Sequence, residues 1–216
     1  MDKTKLPRKE REKLLHREEI LESALRLFSD KGFHNVSMQD IANESEFGVG
    51  TLYHFFEGKE QLFLELMEAG IKKIGQLLIP ILDSNQEEQK KLSEFIRVHV
   101  DMIEGNVEFI KLYISQYGMS TSVNPMLKDI SSLKTTVAAK LESLIKAGIQ
   151  KQIFRRVHPE IVALSLRATL EAFDLESSEH FDKAKVKDGV SKIEKFFMSA
   201  LLKKETNSDL KQPNLT

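Results

Sequence analysis

Apolar residues recur every three to four positions through most of this chain, and no segment alternates with the period of a strand. That spacing places them on one face of a helix. Ile20, Leu21, Ala24, Leu25, Leu27 and Phe28 form the first stripe, and Gly32 stops the helix. Ser37 is a helix N-cap, with Asp40 at the capping-box offset, and Ile41 and Ala42 are the buried positions of a second helix over 37–44. A third short helix is expected over about 49–56. Gly58-Lys59-Glu60 restarts the chain into a long fourth helix with Phe63, Met67, Gly70, Ile74, Leu77 and Ile81 on its inner face; Pro80 should kink or end it.

A second helical unit follows. Leu92, Phe95, Ile96, His99, Val100 and Ile103 read as one stripe, and Phe109, Ile110, Tyr113, Ile114 and Tyr117 as the next. Pro125 and Pro159 each suit the first turn of a helix. The helix after Pro125 turns Ile130, Leu133, Val137, Leu141, Leu144 and Ile145 inward. Residues 161–173 are apolar around most of the circumference, so this helix needs cover on more than one side. The last helix carries Val190, Ile193, Phe196, Phe197, Ala200 and Leu201, and beyond Lys204 the chain is polar. The expected fold is all-α. It divides into an N-terminal three-helix unit (1–66), a C-terminal helical unit (67–205) and a flexible tail (206–216).

Two short helices joined by a tight turn have the layout of a helix-turn-helix DNA reader. In Gly50-Thr51-Leu52-Tyr53-His54-Phe55-Phe56, Leu52, Phe55 and Phe56 pack the helix down. Gly48 and Gly50 leave little bulk at its N-terminus, so backbone amides there can approach phosphate, and Val49 between them is a further candidate contact. Thr51, Tyr53 and His54 offer hydrogen-bonding groups to phosphates and base edges. Ser37 and Gln39 lie at the start of the preceding helix, where Gln39 suits adenine, and Lys59 adds a point charge for a phosphate.

Charge narrows this picture. The chain carries a net charge of −1, so any attraction to DNA must be local. Residues 48–58 contain no Lys or Arg and one acid, Glu57. Basic residues gather instead at 1–17, seven against three acidic ones, including Lys3, Lys5, Arg8, Arg11 and Arg17. Such a segment serves either as a DNA-tracking arm or as a solvated tail.

Residues 20–66 resemble the DNA-binding domain of TetR-type (tetracycline-repressor-type) transcriptional regulators. The resemblance rests on Ile20, Ala24, Leu27, Phe28, Gly32, Phe33, Ser37, Ile41, Ala42, Gly50, Thr51, Leu52, Tyr53, Phe56, Lys59, Glu60 and Leu62. Two positions depart from the pattern: Glu46 stands where the family usually has a turn glycine, and Gly48 where it usually has a serine N-cap. The resemblance implies a homodimer that binds a near-palindromic double-stranded operator and is released by a small-molecule effector. It also implies that the last two helices pair with their mates in a four-helix bundle, with Ile161, Leu164, Ala168, Ile193, Phe196, Phe197 and Leu201 at the interface.

The effector cavity is expected among the helices over 92–104, 106–118 and 126–151. Phe95, His99, Ile103, Phe109, Tyr113, Tyr117, Leu133 and Val137 are its candidate walls. His99 is the polar oddity on an apolar stripe and needs a partner if buried. Arg167 and Glu171 share a stripe with Glu160 and Asp174, read either as a polar surface edge or as a pocket contribution. The six histidines form no metal-binding pair, there is no cysteine, and no phosphate loop or nucleophile elbow occurs. No catalytic residue, metal or cofactor is therefore assigned. The longest apolar run, Leu77 to Leu82, is too short to span a bilayer, and a cytoplasmic protein is expected. The rival readings are a helical sensor whose DNA binding has faded, for which Glu46 speaks, and an all-α enzyme using the cavity.

Overall fold

The computed structural model describes residues 7–117 and 128–203. Ten α-helices lie among the described residues, with a 3₁₀ turn at Phe33–Asn35. The N-terminal unit comprises α1 (Arg8–Lys31), α2 (Met38–Glu44) and α3 (Val49–Phe55). A long α4 (Lys59–Asp83) leads to α5 (Glu88–Arg97), α6 (His99–Glu104), α7 (Val107–Tyr117), α8 (Lys128–Gln150), α9 (Pro159–Glu179) and α10 (Lys183–Leu201). The only strand-like pairing among the described residues is an isolated bridge between Phe154 and Leu202, so the chain is all-α.

Three elements differ from the expectation. The segment from Arg8 onward is not an extended arm but the first turns of α1. Pro80 does not end α4 at the residue before it: the helix runs on to Asp83, with Pro80 in its last turn. The stripe over 92–104 is two helices, interrupted at Val98. Lys3, Lys5, Pro125 and the tail 206–216 lie outside the described residues, as do the side chains of Ile114, Tyr117 and Ile130.

Two apolar cores hold the fold. The first joins Ile20, Ala24 and Phe28 of α1 to Ile41, Leu52, Phe56 and Leu62, and continues down α4 through Met67 and Ile71. It also takes in Phe109 and Leu112 of α7. The second gathers Leu92, Phe95, Leu141, Leu166, Leu170, Val190 and Leu201 from α5 and α8–α10, with Phe154 from the segment between α8 and α9. Helix α7 thus walls both units, and α4 runs through both without a break.

Helix α10 shows how periodicity sorts its residues. Val186, Val190, Phe197 and Leu201 fall on one face and are buried in the chain's own core. Phe197 and Leu201, expected at a dimer interface, are therefore already used. Phe196, one residue round the helix, is 67% exposed, and Ile193 is half-buried. On α9, Ile161 and Leu164 are 56% and 57% exposed and Ala168 is half-buried.

Candidate nucleic-acid interface and helical cavity

Helix α2 is fixed at its start by a complete capping box. The Ser37 hydroxyl accepts from the Asp40 amide at 3.1 Å, and the Asp40 carboxylate accepts from the Ser37 amide at 2.8 Å. Hydrogen bonds from the Ser37 side chain and backbone hold the Asp40 carboxyl below its ordinary value. Ser37 and Gln39 are exposed, and the Gln39 side chain rests on Asn43 at 2.9 Å.

The turn into α3 runs through Glu46 at φ 58°. A side chain there meets the steric penalty of the left-handed region, which glycine escapes. The turn nevertheless closes, with Phe47 N–H donating to the Ala42 carbonyl at 3.0 Å. Gly48 caps α3 through its backbone alone. Leu52 is fully buried and Phe56 almost so, which leaves Gly50, Thr51, Tyr53 and His54 on one exposed face, with Val49 half-buried beside them. Nothing lies within 4 Å of a Cβ built on Gly50, so the fold itself does not require glycine there.

Two of the expected phosphate ligands are occupied inside the protein. Lys59 Nζ donates to the carbonyls of Phe33 (2.9 Å) and Val36 (2.8 Å) and lies 4.5 Å from the centre of the Phe33 ring. It pins the start of α4 to the 3₁₀ turn that leads into α2. Arg17 donates to the Phe55 carbonyl at 2.7 Å and to both Glu65 oxygens at 2.5 Å, and stacks 4.3 Å over Phe56. It clamps the end of α3, where the helix dipole favours a cation, onto α1 and α4. Sequence spacing hides both roles, because the partners lie 23 to 48 residues away. Arg8 and Arg11 remain exposed on α1, and Arg8 bonds Glu12 one turn along.

A cavity of about 160 Å³ opens between α4 and α9. Ile71, Ile74 and Leu78 of α4 and Leu133 and Val137 of α8 make it apolar, and α5–α7 contribute Phe95, His99, Met102, Phe109, Ile110 and Tyr113. Ile103 does not line it. It points the other way into the core at 0% exposure, and its neighbour Met102 takes the wall position. Of the stripe of Glu160, Arg167, Glu171 and Asp174, Glu160 is exposed at the surface, whereas Arg167, Glu171 and Asp174 line the cavity, the first two remaining partly exposed. Asp174 is 6% exposed and partners His99, whose Nδ1 lies 2.9 and 3.1 Å from the two carboxylate oxygens. Arg167 reaches Glu171 only at 3.4 Å. Among the described residues no cluster of metal-ligating side chains occurs, and no helix is long and apolar enough to cross a membrane.

Residues 20–66 match the family model of bacterial regulatory proteins of the tetR family. Over those residues the chain is similar to the TetR family.

Its relatives include the HTH-type transcriptional regulator YxaF of Bacillus subtilis, 34% identical over 96 residues, which are 44% of this chain and 50% of YxaF. For YuxN of the same organism the match is 29% over 108 residues and covers 35% of that protein, so the chain spans half or less of these two relatives. The likeness in fold extends over both units. The ketosteroid transcriptional regulator KstR2 of Mycobacterium tuberculosis superposes with a TM-score of 0.75 at 20% identity, covering 87% of this chain and 95% of that one. AibR, solved with isovaleryl coenzyme A and operator DNA, gives 0.65 at 23% identity, covering 82% and 97%.

Proposed function

We propose that this chain is a ligand-responsive transcriptional repressor of the TetR type. It binds a near-palindromic double-stranded operator as a homodimer and leaves it when a small, mainly apolar effector fills the cavity. The observation that carries the reading is the division of α3. Leu52 and Phe56 anchor one side, while Gly50, Thr51, Tyr53 and His54 stand free on the other, as major-groove insertion requires.

Dimerisation through α9 and α10 is supported by Ile161, Leu164 and Phe196, three large apolar side chains more than half exposed on adjacent helices. A two-fold pairing covers the same patch on each copy and sets two reading heads side by side. Effector control follows as linkage: a ligand that fits the cavity in one dimer geometry better than in the other shifts operator affinity by that difference. The fold neighbour AibR, solved with an acyl coenzyme A and operator DNA together, supports this pairing of sites.

The test is a gel-shift titration of the full chain on DNA from around its own coding region, across a salt series. Saturable, salt-sensitive binding to one fragment is expected, and Tyr53→Ala should weaken it. A second reading, a sensor that no longer reads DNA, is favoured by the acidic Glu46 in its strained turn and by the internal use of Arg17 and Lys59. Flat binding to every fragment at low salt would establish that second reading instead.

A further inference from the structure

His99 is 5% exposed, lines the cavity, and uses only one of its ring nitrogens. Nδ1 faces the Asp174 carboxylate, which accepts hydrogen bonds and so places the proton on Nδ1. Nε2 is buried and has no hydrogen-bond partner, an arrangement that costs stability unless something answers it. Phe95 packs edge-on against the ring, 5.6 Å between centroids, so the imidazole is held from the side as well as from Asp174. Most of the remaining wall is apolar. The charged side chains on the cavity are Lys134, Arg167, Glu171 and Asp174, two of each sign.

We propose that the cavity takes a neutral, mainly apolar molecule bearing one hydroxyl group, an alcohol or phenol, whose hydroxyl pairs with Nε2 of His99. This rests on the reading of the cavity as the effector site. Three arguments select that class. The balanced wall charges give no net attraction to an ion, and a carboxylate at Nε2 would meet Asp174 across the same ring. With the proton on Nδ1, Nε2 presents a lone pair and needs a donor, which a hydroxyl supplies and an ether does not, while an aliphatic amine would arrive as a cation. The volume of about 160 Å³ resembles that of cavities of about 150 Å³ that hold a benzene ring, so the buried body is one ring or the equivalent length of chain.

The probes are 4-ethylphenol, ethylbenzene and 4-ethylbenzoate, titrated calorimetrically into the full chain without DNA. The phenol should bind roughly tenfold more tightly than ethylbenzene, the worth of one satisfied buried hydrogen bond, and more tightly than the benzoate. In the wild-type protein, the ¹⁵N resonance of His99 Nε2 should move with the phenol and stay in place with ethylbenzene, a readout that needs no variant to fold. In His99→Leu the phenol's advantage should fall below about threefold. Equal affinities of phenol and arene, tightest binding by the benzoate, no binding of any probe, or an unmoved Nε2 resonance would each overturn the assignment. Hydroxyl preference without operator binding would sink the regulator reading alone; operator binding without hydroxyl preference would sink this one alone.

Discussion

The ring of Phe109 lies so close over Gly70 that a Cβ at that position would stand 2.1 Å from the ring edge. Gly70 is on α4, which begins beside the N-terminal unit, and Phe109 is on α7, where it lines the cavity and packs into the N-terminal core. One aromatic ring therefore touches both the cavity and the helix that leads from the proposed reading head. Gly70→Ala should displace it, destabilise the chain by about 1–3 kcal/mol as overpacking does, and lower operator affinity with no ligand present. Thermal melts and operator titrations check both. Adding Phe109→Leu should recover much of the stability, and a double variant no better than the single would break the argument.

Glu46 occupies a left-handed turn position at φ 58° with an acidic side chain beside the reading helix. Glu46→Gly should stabilise the protein by about 1 kcal/mol, because glycine escapes a left-handed penalty of about 1–2 kcal/mol per residue but loses more chain entropy on folding. It should also tighten operator binding by removing a like charge from the phosphates. A lower midpoint in chemical denaturation would show that the turn is not strained by its side chain.

Lys59 separates structural from DNA-binding charge. Its ammonium group already serves two carbonyls and a ring. Lys59→Met should lower stability by about 1–3 kcal/mol yet leave the slope of log affinity against log salt unchanged. Removing Arg8 and Arg11 together should flatten that slope by up to about 2, close to one unit for each phosphate no longer neutralised. A flattened slope in Lys59→Met would return Lys59 to the phosphate backbone.

Acid sensitivity has a specific source in the C-terminal unit. The Lys151 side chain, bonded to Glu88 at 2.7 Å, holds that carboxyl below its usual 4.5 against the burial that pushes it up. A lowered carboxyl stabilises the fold above its unfolded value and loses that contribution as pH falls through the folded one. Glu88→Gln should therefore flatten the loss of melting temperature below about pH 4.5. An unchanged acid limb would place the sensitivity elsewhere.

The helices and the reading face were legible in the sequence because they depend on local spacing: Leu52 and Phe56 inward, Tyr53 and His54 outward. The capping box at Ser37 and Asp40 was legible for the same reason. Contacts across the fold were not. Arg17 and Lys59 look like free cations until Glu65 and the 33–36 carbonyls are placed beside them. His99 and Asp174 are 75 residues apart, so a buried pair read as an odd histidine and a surface acid. Ile103 and Met102 are neighbours on α6, both buried, and an apolar stripe alone does not say which of the two faces the cavity.

The central claim, that α3 of a two-fold dimer reads DNA, is tested most directly by selecting bound duplexes from a random pool with the full chain. A near-palindromic site should emerge, with half-sites about one helical turn or a multiple apart, and Gly50→Ala should bind it more weakly while melting no lower than the parent. A pool that enriches no symmetric sequence, with Gly50→Ala behaving as the parent does, would contradict the account.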